Sequence, residues 1–279
     1  MATHSDHPKA TYSEAPDSIH FTVDGEAFVG SPGQTIMQAC DANQCYIPRL
    51  CDCDGLVPQG SCRVCSVKSN GRVVAACTQP IEDGAVIEHA TPEIMDMRKD
   101  LVQMLFHEGN HLCPICEASG QCELQAMAYR FGLSQASAYP YLQPVRPVDA
   151  SHPDIALDTN RCILCGRCIR ASRDIDHKHI FEYVGRGIDK RIGVNGKSLA
   201  DTNASIDDYA MSEEVCPVGC IIRKREGFSR PVGQRLFDKH IIGSDIESGS
   251  PHFKRYHRID LVQLDESMQE TPDKESDQA

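Results

Sequence analysis

The sequence lacks the segments that would carry the chain into or across a membrane. No run of about 18 apolar residues, the length a transmembrane helix needs, occurs anywhere in its 279 residues. The opening residues MATHSDHPKATYSEAPDS contain neither the apolar stretch of a secretory signal nor two adjacent arginines. We therefore expect a cytoplasmic protein that does not insert into membranes.

Motifs for binding nucleotides and nucleic acids are also absent. The segment GRGIDKRIG at 185–193 does not supply the G-x-G-x-x-G fingerprint of dinucleotide-binding proteins, and no P-loop occurs. A net charge of −12 would repel the phosphate backbone of a nucleic acid. No C-x2-C pair is left over from the three cysteine groups described below to hold a NiFe centre. We expect this chain to bind no nucleic acid, and no NAD or NiFe centre of its own.

Cysteine, by contrast, is abundant. The chain has 15 cysteines, an odd number that fits a disulfide framework poorly. In a reducing compartment, thiols that cluster in the sequence are more often metal ligands than disulfides. Eleven of these cysteines fall into three groups, each with its own spacing. The sequence therefore predicts three metal centres.

The first group has the spacing C-x10-C-x2-C-x11-C and consists of Cys51, Cys62, Cys65 and Cys77. Three thiols in a long glycine-bearing loop and one at the end of a later strand are typical of a 2Fe-2S ferredoxin, although the first gap is longer than in plant-type proteins. A zinc ribbon would need a second C-x2-C pair nearby, and this region has none. Cys53 competes for the first position, but Cys51 directly follows the segment YIPRL, which favours Cys51.

The second group, in HLCPICEASGQC, contains only Cys113, Cys116 and Cys122. Three cysteines cannot fill the four ligand positions of a 4Fe-4S cluster, so a nearby histidine is the candidate for the fourth. His111 and His107 are both close enough in the sequence. A neutral imidazole in place of a thiolate removes one negative charge, which makes the cluster easier to reduce.

The third group combines RCILCGRCIR with CPVGC and gives the most specific signal. The pattern C-x2-C-x2-C followed by a distant Cys-Pro is that of bacterial 4Fe-4S proteins, and Cys162, Cys165, Cys168 and Cys216 fill it. In two-cluster ferredoxins a further cysteine after the triplet binds the other cluster, but Ser172 stands at that position here. The sequence predicts one 4Fe-4S cluster in this region. We interpret the cysteines left over as free thiols of the interior; they are Cys40, Cys45, Cys53 and Cys220.

The secondary-structure signals predict an α+β chain in five parts. Alternating apolar residues and the turn signals Asp24-Gly25 and Asn70-Gly71 indicate two hairpins with one helix between them. Thr91-Pro92-Glu93 predicts the start of a long helix and Gly109 its end. For this helix we predict a buried stripe of Ile94, Met97, Leu101, Met104 and Leu105. The predicted parts are a flexible arm (1–17), a β-rich unit (18–92), a small helical unit with a Pro-rich linker (93–150), a second cysteine-bearing domain (151–227) and a polar C-terminal extension (228–279).

The order of the motifs resembles a known family. A C-x10-C-x2-C-x11-C unit, then DMRKDLVQMLFHEGNH and LCPICEASGQCELQ, then RCILCGRCIR, CPVG and GFSRPVGQR, is similar to the N-terminal region of the large iron-sulfur subunit of respiratory NADH dehydrogenase. Over roughly residues 18–245 it resembles still more the diaphorase iron-sulfur (gamma) subunit of soluble NAD-reducing NiFe hydrogenases. Only Leu112 separates His111 from Cys113, a shortened spacing that the hydrogenase branch shares, so the resemblance favours His111 and leaves His107 in reserve.

The resemblance implies a β-grasp 2Fe-2S domain, a 4Fe-4S domain with one His and three Cys ligands, and a ferredoxin-like 4Fe-4S domain. It implies one 2Fe-2S and two 4Fe-4S clusters that relay electrons within a heterotetramer. The partners implied are a diaphorase subunit with FMN and NAD sites, and small and large hydrogenase subunits with the NiFe centre. The alternatives are the equivalent subunit of an NAD-dependent formate dehydrogenase or respiratory-type NADH dehydrogenase, and a zinc-stabilised binding protein without a redox role.

Overall fold

The structure, a computed structural model, describes residues 18–133, 139–142 and 145–247. The predicted arm at 1–17 and the end of the predicted C-terminal extension at 248–279 lie outside the described residues. Among the helices that the structure describes, none is long and apolar enough to cross a membrane.

A five-stranded mixed sheet forms the first part of the molecule. Two hairpins are joined through the predicted Asp24-Gly25 and Asn70-Gly71 turns, whose residues all have positive φ. The last strand pairs in parallel with the first and antiparallel with the third, which gives the order β2-β1-β5-β3-β4. This arrangement is the predicted β-grasp sheet. Its strands are β1 (Ile19–Val23), β2 (Glu26–Gly30), β3 (Ser66–Ser69), β4 (Arg72–Ala75) and β5 (Val86–Glu88).

Helix α1 (Ile36–Ala42) packs on this sheet. It begins with a capping box in which Thr35 and Gln38 bond to each other's backbone N–H groups, so two otherwise unpaired donors are satisfied. The helix buries Ile36, Met37, Ala39 and Cys40 against the core that contains Phe21, Val23 and Phe28. Cys45, Cys65 and Cys77 belong to the same core, so cysteines of the first group lie at its edge.

Helix α2 (Pro92–Glu108) follows the sheet and begins and ends where the sequence predicts. Its buried face differs from the predicted stripe. Only Ile94 of the stripe is fully buried, Met104 is exposed, and Arg98, Val102 and His107 are buried instead. The prediction assigned only apolar side chains to the buried face. In the structure that face includes Arg98, whose guanidinium lies in the interior and donates from Nη2 to the carbonyl of Ser66.

A second core joins the remaining parts. It runs from Tyr46 and Leu50 in the first part through Leu124 and Met127 to Val215 and Cys220. Two short antiparallel strand pairs, β6 with β9 and β7 with β8, belong to this part of the molecule. The elements are α3 (Glu123–Arg130), β6 (Ile155–Leu157), α4 (Arg167–Arg170), β7 (Phe181–Val184), β8 (Arg191–Val194) and β9 (Ile221–Arg223).

The described part of the predicted C-terminal extension packs on the rest of the molecule. It contains α5 (Leu236–Lys239) and α6 (Ser244–Glu247). The Glu247 carboxylate is fully buried and pairs with the Arg130 guanidinium at 2.6 Å, and Arg130 also donates to the carbonyl of Ile242. This ion pair fixes residues 242–247 against helix α3.

Candidate iron-sulfur sites

The first group of thiols converges where the loop after α1 meets the hairpin β3–β4. Cys65 precedes β3 and Cys77 follows β4, so the antiparallel pairing brings their Sγ atoms to 3.5 Å. The Cys62 backbone N–H lies 3.5 Å from Cys51 Sγ. Hydrogen bonds from the thiols of Cys62 and Cys77 lower the pKa of Cys51 far below its usual range, and the Cys77 thiol lowers that of Cys65 to about 7. The same contacts raise the pKa of Cys62 and Cys77, so two thiols of the group are shifted towards the thiolate and two towards the thiol.

The side chains of Cys51 and Cys53 lie in different surroundings. Cys51 is fully buried and contacts the other thiols of the group. The Cys53 thiol is partly exposed and lies 3.6 Å from the carbonyl oxygen of Glu214, outside the group. The geometry supports Cys51 as the first ligand, as predicted, and leaves Cys53 as a free thiol.

A buried arginine stands behind the first group. The Arg98 side chain is fully buried; its Nη2 donates to Ser66 O at 2.8 Å and lies 3.1 Å from His89 Nδ1. Burial lowers the pKa of Arg98 to about 10, so it is still charged at neutral pH. Across the described residues, no carboxylate forms an ion pair with this guanidinium, while the Cys65 thiolate attracts it. Arg98 therefore supplies positive charge where thiolates and a cluster concentrate negative charge.

The second group surrounds one small cavity. His111, Cys113, Cys116 and Cys122 line it together with Phe106, Ser119, Gln125, Arg161 and Gly219. Within the part of the chain that the structure describes, the Nε2 atom of His111 is buried without a hydrogen-bond partner. A buried, unbonded ring nitrogen is costly unless something binds it. A cluster iron in the cavity fits this nitrogen and the three thiols.

The two histidines that compete for this site are separated in space. The His107 ring packs edge-on against Tyr139 and Tyr141, at centroid distances of 6.3 and 5.5 Å, and does not line the cavity. Burial lowers the pKa of His111 to about 4, assisted by the positive charge of Arg161 and opposed by Asp158. His111 is therefore neutral at pH 7 and has the lone pair that a metal ligand requires.

The third group also lines a single cavity. Cys162, Cys165 and Cys168 come from the tight loop before and within α4, and Cys216 comes from the loop before β9. Gly166 shapes the tight loop, because its φ is +69° and a Cβ there would lie 2.5 Å from the Tyr183 hydroxyl. Cys220, which the sequence leaves as a free thiol, lines the same cavity.

The three sites are neighbours, and residues of the third contact both of the others. Arg170 of α4 donates to the carbonyl oxygens of Cys51 in the first site and Cys165 in the third, at 2.5 and 3.5 Å. On the other side, a Cβ on Gly219, in the CPVGC loop, would lie only 3.0 Å from Cys116 Sγ of the second site. Arg161, which precedes Cys162, has its Nη1 3.6 Å from the same sulfur.

The spread of the thiols matches clusters better than single ions. Among the described residues, no three His, Cys, Asp or Glu side chains form a group that could hold one metal ion. A zinc site gathers all its ligands around one atom, whereas a cluster holds its thiolates apart by its own iron and sulfide. Cavities lined by four or more such ligands, with an unbonded histidine nitrogen, define this chain as an iron-sulfur protein.

Comparison with known families assigns each site to an iron-sulfur region. Residues 16–92 match a 2Fe-2S iron-sulfur cluster binding domain. Residues 98–136 match the NADH-ubiquinone oxidoreductase-G iron-sulfur binding region, and residues 152–222 match the ferredoxin-like domain of NADH-quinone oxidoreductase subunit 3. These are domains of electron-transfer oxidoreductases.

Relatives that match most of this chain identify its family more closely than the single domains do. The chain is 41% identical to the gamma subunit of the NAD-reducing hydrogenase HoxS of Cupriavidus necator over 222 residues, which cover 79% of this chain and 94% of the relative. It belongs to the family of that hydrogenase subunit. A solved chain of an NAD+-reducing NiFe-hydrogenase in the H2-reduced state has 43% identity and a TM-score of 0.76, covering 81% of this chain and 94% of its own.

The matches to respiratory relatives cover a smaller share of each relative's length. The 78 kDa subunit of mitochondrial NADH-ubiquinone oxidoreductase of Candida albicans is 31% identical over 76% of this chain but only 30% of its own length. The 78 kDa subunit of the same mitochondrial enzyme of Neurospora crassa is 30% identical over 78% of this chain and 29% of its own length. The family predicted from the motifs is thus confirmed, and the formate-dehydrogenase, respiratory and zinc-protein alternatives are not favoured.

Proposed function

We propose that this chain is the electron-transfer subunit of an NAD-reducing NiFe hydrogenase and relays electrons between the site of H2 oxidation and the site of NAD reduction. The observation that carries the proposal is the 41% identity to the HoxS relative over 94% of that relative's length. The three adjacent groups of thiols support it. When bound, iron-sulfur clusters supply reversible one-electron transfer.

The proposed ligand sets follow the geometry. The first site would hold a 2Fe-2S cluster, and the second and third sites one 4Fe-4S cluster each. The supporting observations are the convergence of the first thiols and the two lined cavities. The ligands are Cys51, Cys62, Cys65 and Cys77 in the first site, His111, Cys113, Cys116 and Cys122 in the second, and Cys162, Cys165, Cys168 and Cys216 in the third.

We propose that electrons pass through the sites in the order first, third, second. Arg170 holds the loops of the first and third sites together through carbonyl oxygens of both. Gly219 lets the loop of the third site approach Cys116, and Arg161 donates to Cys116 Sγ, Glu117 and the Gly219 carbonyl. These close contacts support a short electron path through the third site.

The partners follow from the family and from what the chain lacks. We propose that one neighbour is a diaphorase subunit with FMN and NAD sites, and that the other side meets small and large hydrogenase subunits with the NiFe centre. The solved relative, a chain of an NAD+-reducing NiFe-hydrogenase, supports this assembly. The clustered thiols suit the reducing conditions of the cytoplasm, which we propose as its location.

Anaerobic isolation of the whole complex tests the proposal. We expect brown material with about ten irons per copy of this chain, two from the 2Fe-2S and eight from the two 4Fe-4S clusters, and matching acid-labile sulfide. Iron bound to the partner subunits is subtracted by measuring the isolated partners in parallel. The complex should reduce NAD with H2. Formate-driven NAD reduction without H2 activity, or zinc in place of iron, would overturn the assignment.

A further inference from the structure

The third site contains one thiol more than a 4Fe-4S cluster requires. Five cysteines line its cavity, and four bind such a cluster. The additional thiol is Cys220, which follows Cys216 by one tight turn through Pro217 and Gly219. Its side chain is only 4% exposed.

Cys220 lies among the ligands themselves. Its side chain lines the same small cavity as those of Cys162 and Cys216. Its backbone is fixed, because its carbonyl accepts from the Asp158 N–H at 2.8 Å and β9 begins at the next residue. The sulfur of Cys220 is therefore held next to the position that Cys216 occupies.

Another buried free thiol shows that this placement is not a general property of the interior. Cys45 is fully buried in the core under the β-grasp sheet, together with Cys40. It lines neither of the two 4Fe-4S cavities. Cys45 therefore provides a control for removing a buried cysteine without touching the third site.

We propose that Cys220 is a reserve ligand, able to bind the third cluster when the Cys216 thiolate is missing. When Cys216 is replaced, the Cys220 thiol would lose its proton to water, and its thiolate would take the ligand position left empty. The site would then still offer four thiolates, with no change of oxidation state. Cys165 lies in the loop before α4 and not in the CPVGC turn that contains Cys216 and Cys220, so we expect Cys220 to substitute for Cys216 and not for Cys165. The proposal rests on the proposed 4Fe-4S cluster of this site.

Iron content of the anaerobically purified complex tests the proposal. The variants are Cys216→Ala, Cys165→Ala, Cys220→Ala, and the double variants Cys216→Ala/Cys220→Ala and Cys216→Ala/Cys45→Ala. We expect Cys220→Ala, Cys216→Ala and the double variant with Cys45 to keep the wild-type iron. Cys165→Ala and Cys216→Ala/Cys220→Ala should each lose about four irons. The EPR signal of the first cluster reports that the chain is folded.

The outcomes separate the two proposals. Wild-type protein without a second 4Fe-4S cluster contradicts the proposed function, whatever the variants do. With that cluster present, the reserve role is wrong if Cys216→Ala loses as much iron as Cys165→Ala, or if the variant lacking both Cys216 and Cys220 keeps its iron. If the Cys216→Ala protein does not accumulate, the experiment uses Cys216→Ser instead. If neither protein accumulates while Cys220→Ala does, the reserve role is also wrong.

Discussion

Arg98 brings a positive charge close to the first site, and within the described residues it forms no ion pair with a carboxylate. Its guanidinium donates to the Ser66 carbonyl and lies next to His89, and the Cys65 thiolate attracts it. A buried charge is stable only when another group compensates it. Reduction adds one negative charge to a 2Fe-2S cluster, so the cation should favour the reduced state.

Replacing Arg98 by Met should therefore make the first cluster harder to reduce. We expect a lower reduction potential, equivalent to about 1 kcal/mol or more for one charge at short range in a protein interior. An EPR-monitored redox titration of the purified complex measures it. Lys99→Met, which removes an exposed cation from the next position of the same helix, is the control. An unshifted potential in Arg98→Met would show that the arginine is purely structural.

Changing the histidine of the second site should move the potential of its cluster. His111→Cys adds a thiolate in place of a neutral imidazole, and the extra negative charge should lower the potential. His107→Ala serves as the control, because that ring packs against tyrosines and does not line the cavity. Equal spectra and potentials for His111→Cys and the wild type would remove His111 from the ligand set.

Spacing alone does not separate Cys51 from Cys53, and the sequence favours Cys51 only because it follows YIPRL. The fold supports that choice, because Cys51 lies among the other thiols while Cys53 contacts Glu214. His111 and His107 differ in the same way. The motif CPVGC did contain a signal for Cys220, because a tight Pro-Gly turn brings residues four apart close together.

At the scale of an element, the end of helix α2 is shaped by a glycine that permits close packing. Gly109 has φ of −127°, which any residue adopts, so the space around it explains the glycine. A Cβ at this position would lie 2.6 Å from His111 Nε2 and 3.1 Å from the carbonyl oxygen of Asn160. The chain after α2 can fold back over itself only because this side chain is absent.

Gly109→Ala should therefore displace His111 and damage the second site alone. We expect loss of up to about four irons or an altered second-cluster EPR signal, with the first and third clusters unchanged. Gly84→Ala is the control: its φ of +72° adds strain of about 1 kcal/mol, but no atom lies within 4 Å of its Cβ. Identical cluster contents in both variants would contradict the role given to Gly109.

Local signals predicted the two hairpins of the first part and the bounds of helix α2. Asp24-Gly25 and Asn70-Gly71 give hairpins because both residues of each turn adopt positive φ. The buried face of α2 was predicted wrongly, because a pattern of apolar residues cannot show that a charged residue, Arg98, is buried. Sheet order depends on contacts between distant strands, such as β1 with β5, which no local pattern contains.

Across the whole molecule, the buried pair Arg130–Glu247 connects the C-terminal segment to the centre. Both side chains are nearly inaccessible, and Arg130 also stacks 4.8 Å from the Tyr46 ring centroid. The pair therefore joins three distant parts of the chain: the loop after α1, helix α3 and helix α6.

Glu247→Gln should destabilise the protein by about 3–5 kcal/mol, because it leaves the Arg130 charge buried without its carboxylate. Urea unfolding of the anaerobic complex, followed by fluorescence and cluster absorbance, measures the change. Glu213→Gln breaks an ion pair with both side chains about half exposed and should cost about 0–1 kcal/mol. Similar losses for the two variants would mean that the buried pair contributes no more than a surface pair.

The position of the third site has a consequence for biosynthesis. Its proposed ligands, Cys162 to Cys216, are translated after those of the other two sites, yet Arg170 and Gly219 bring that site into contact with both. In the proposed electron path, a product terminated before Cys216 would lack the site that links the first to the second. A truncated product would therefore be unable to pass electrons along the chain.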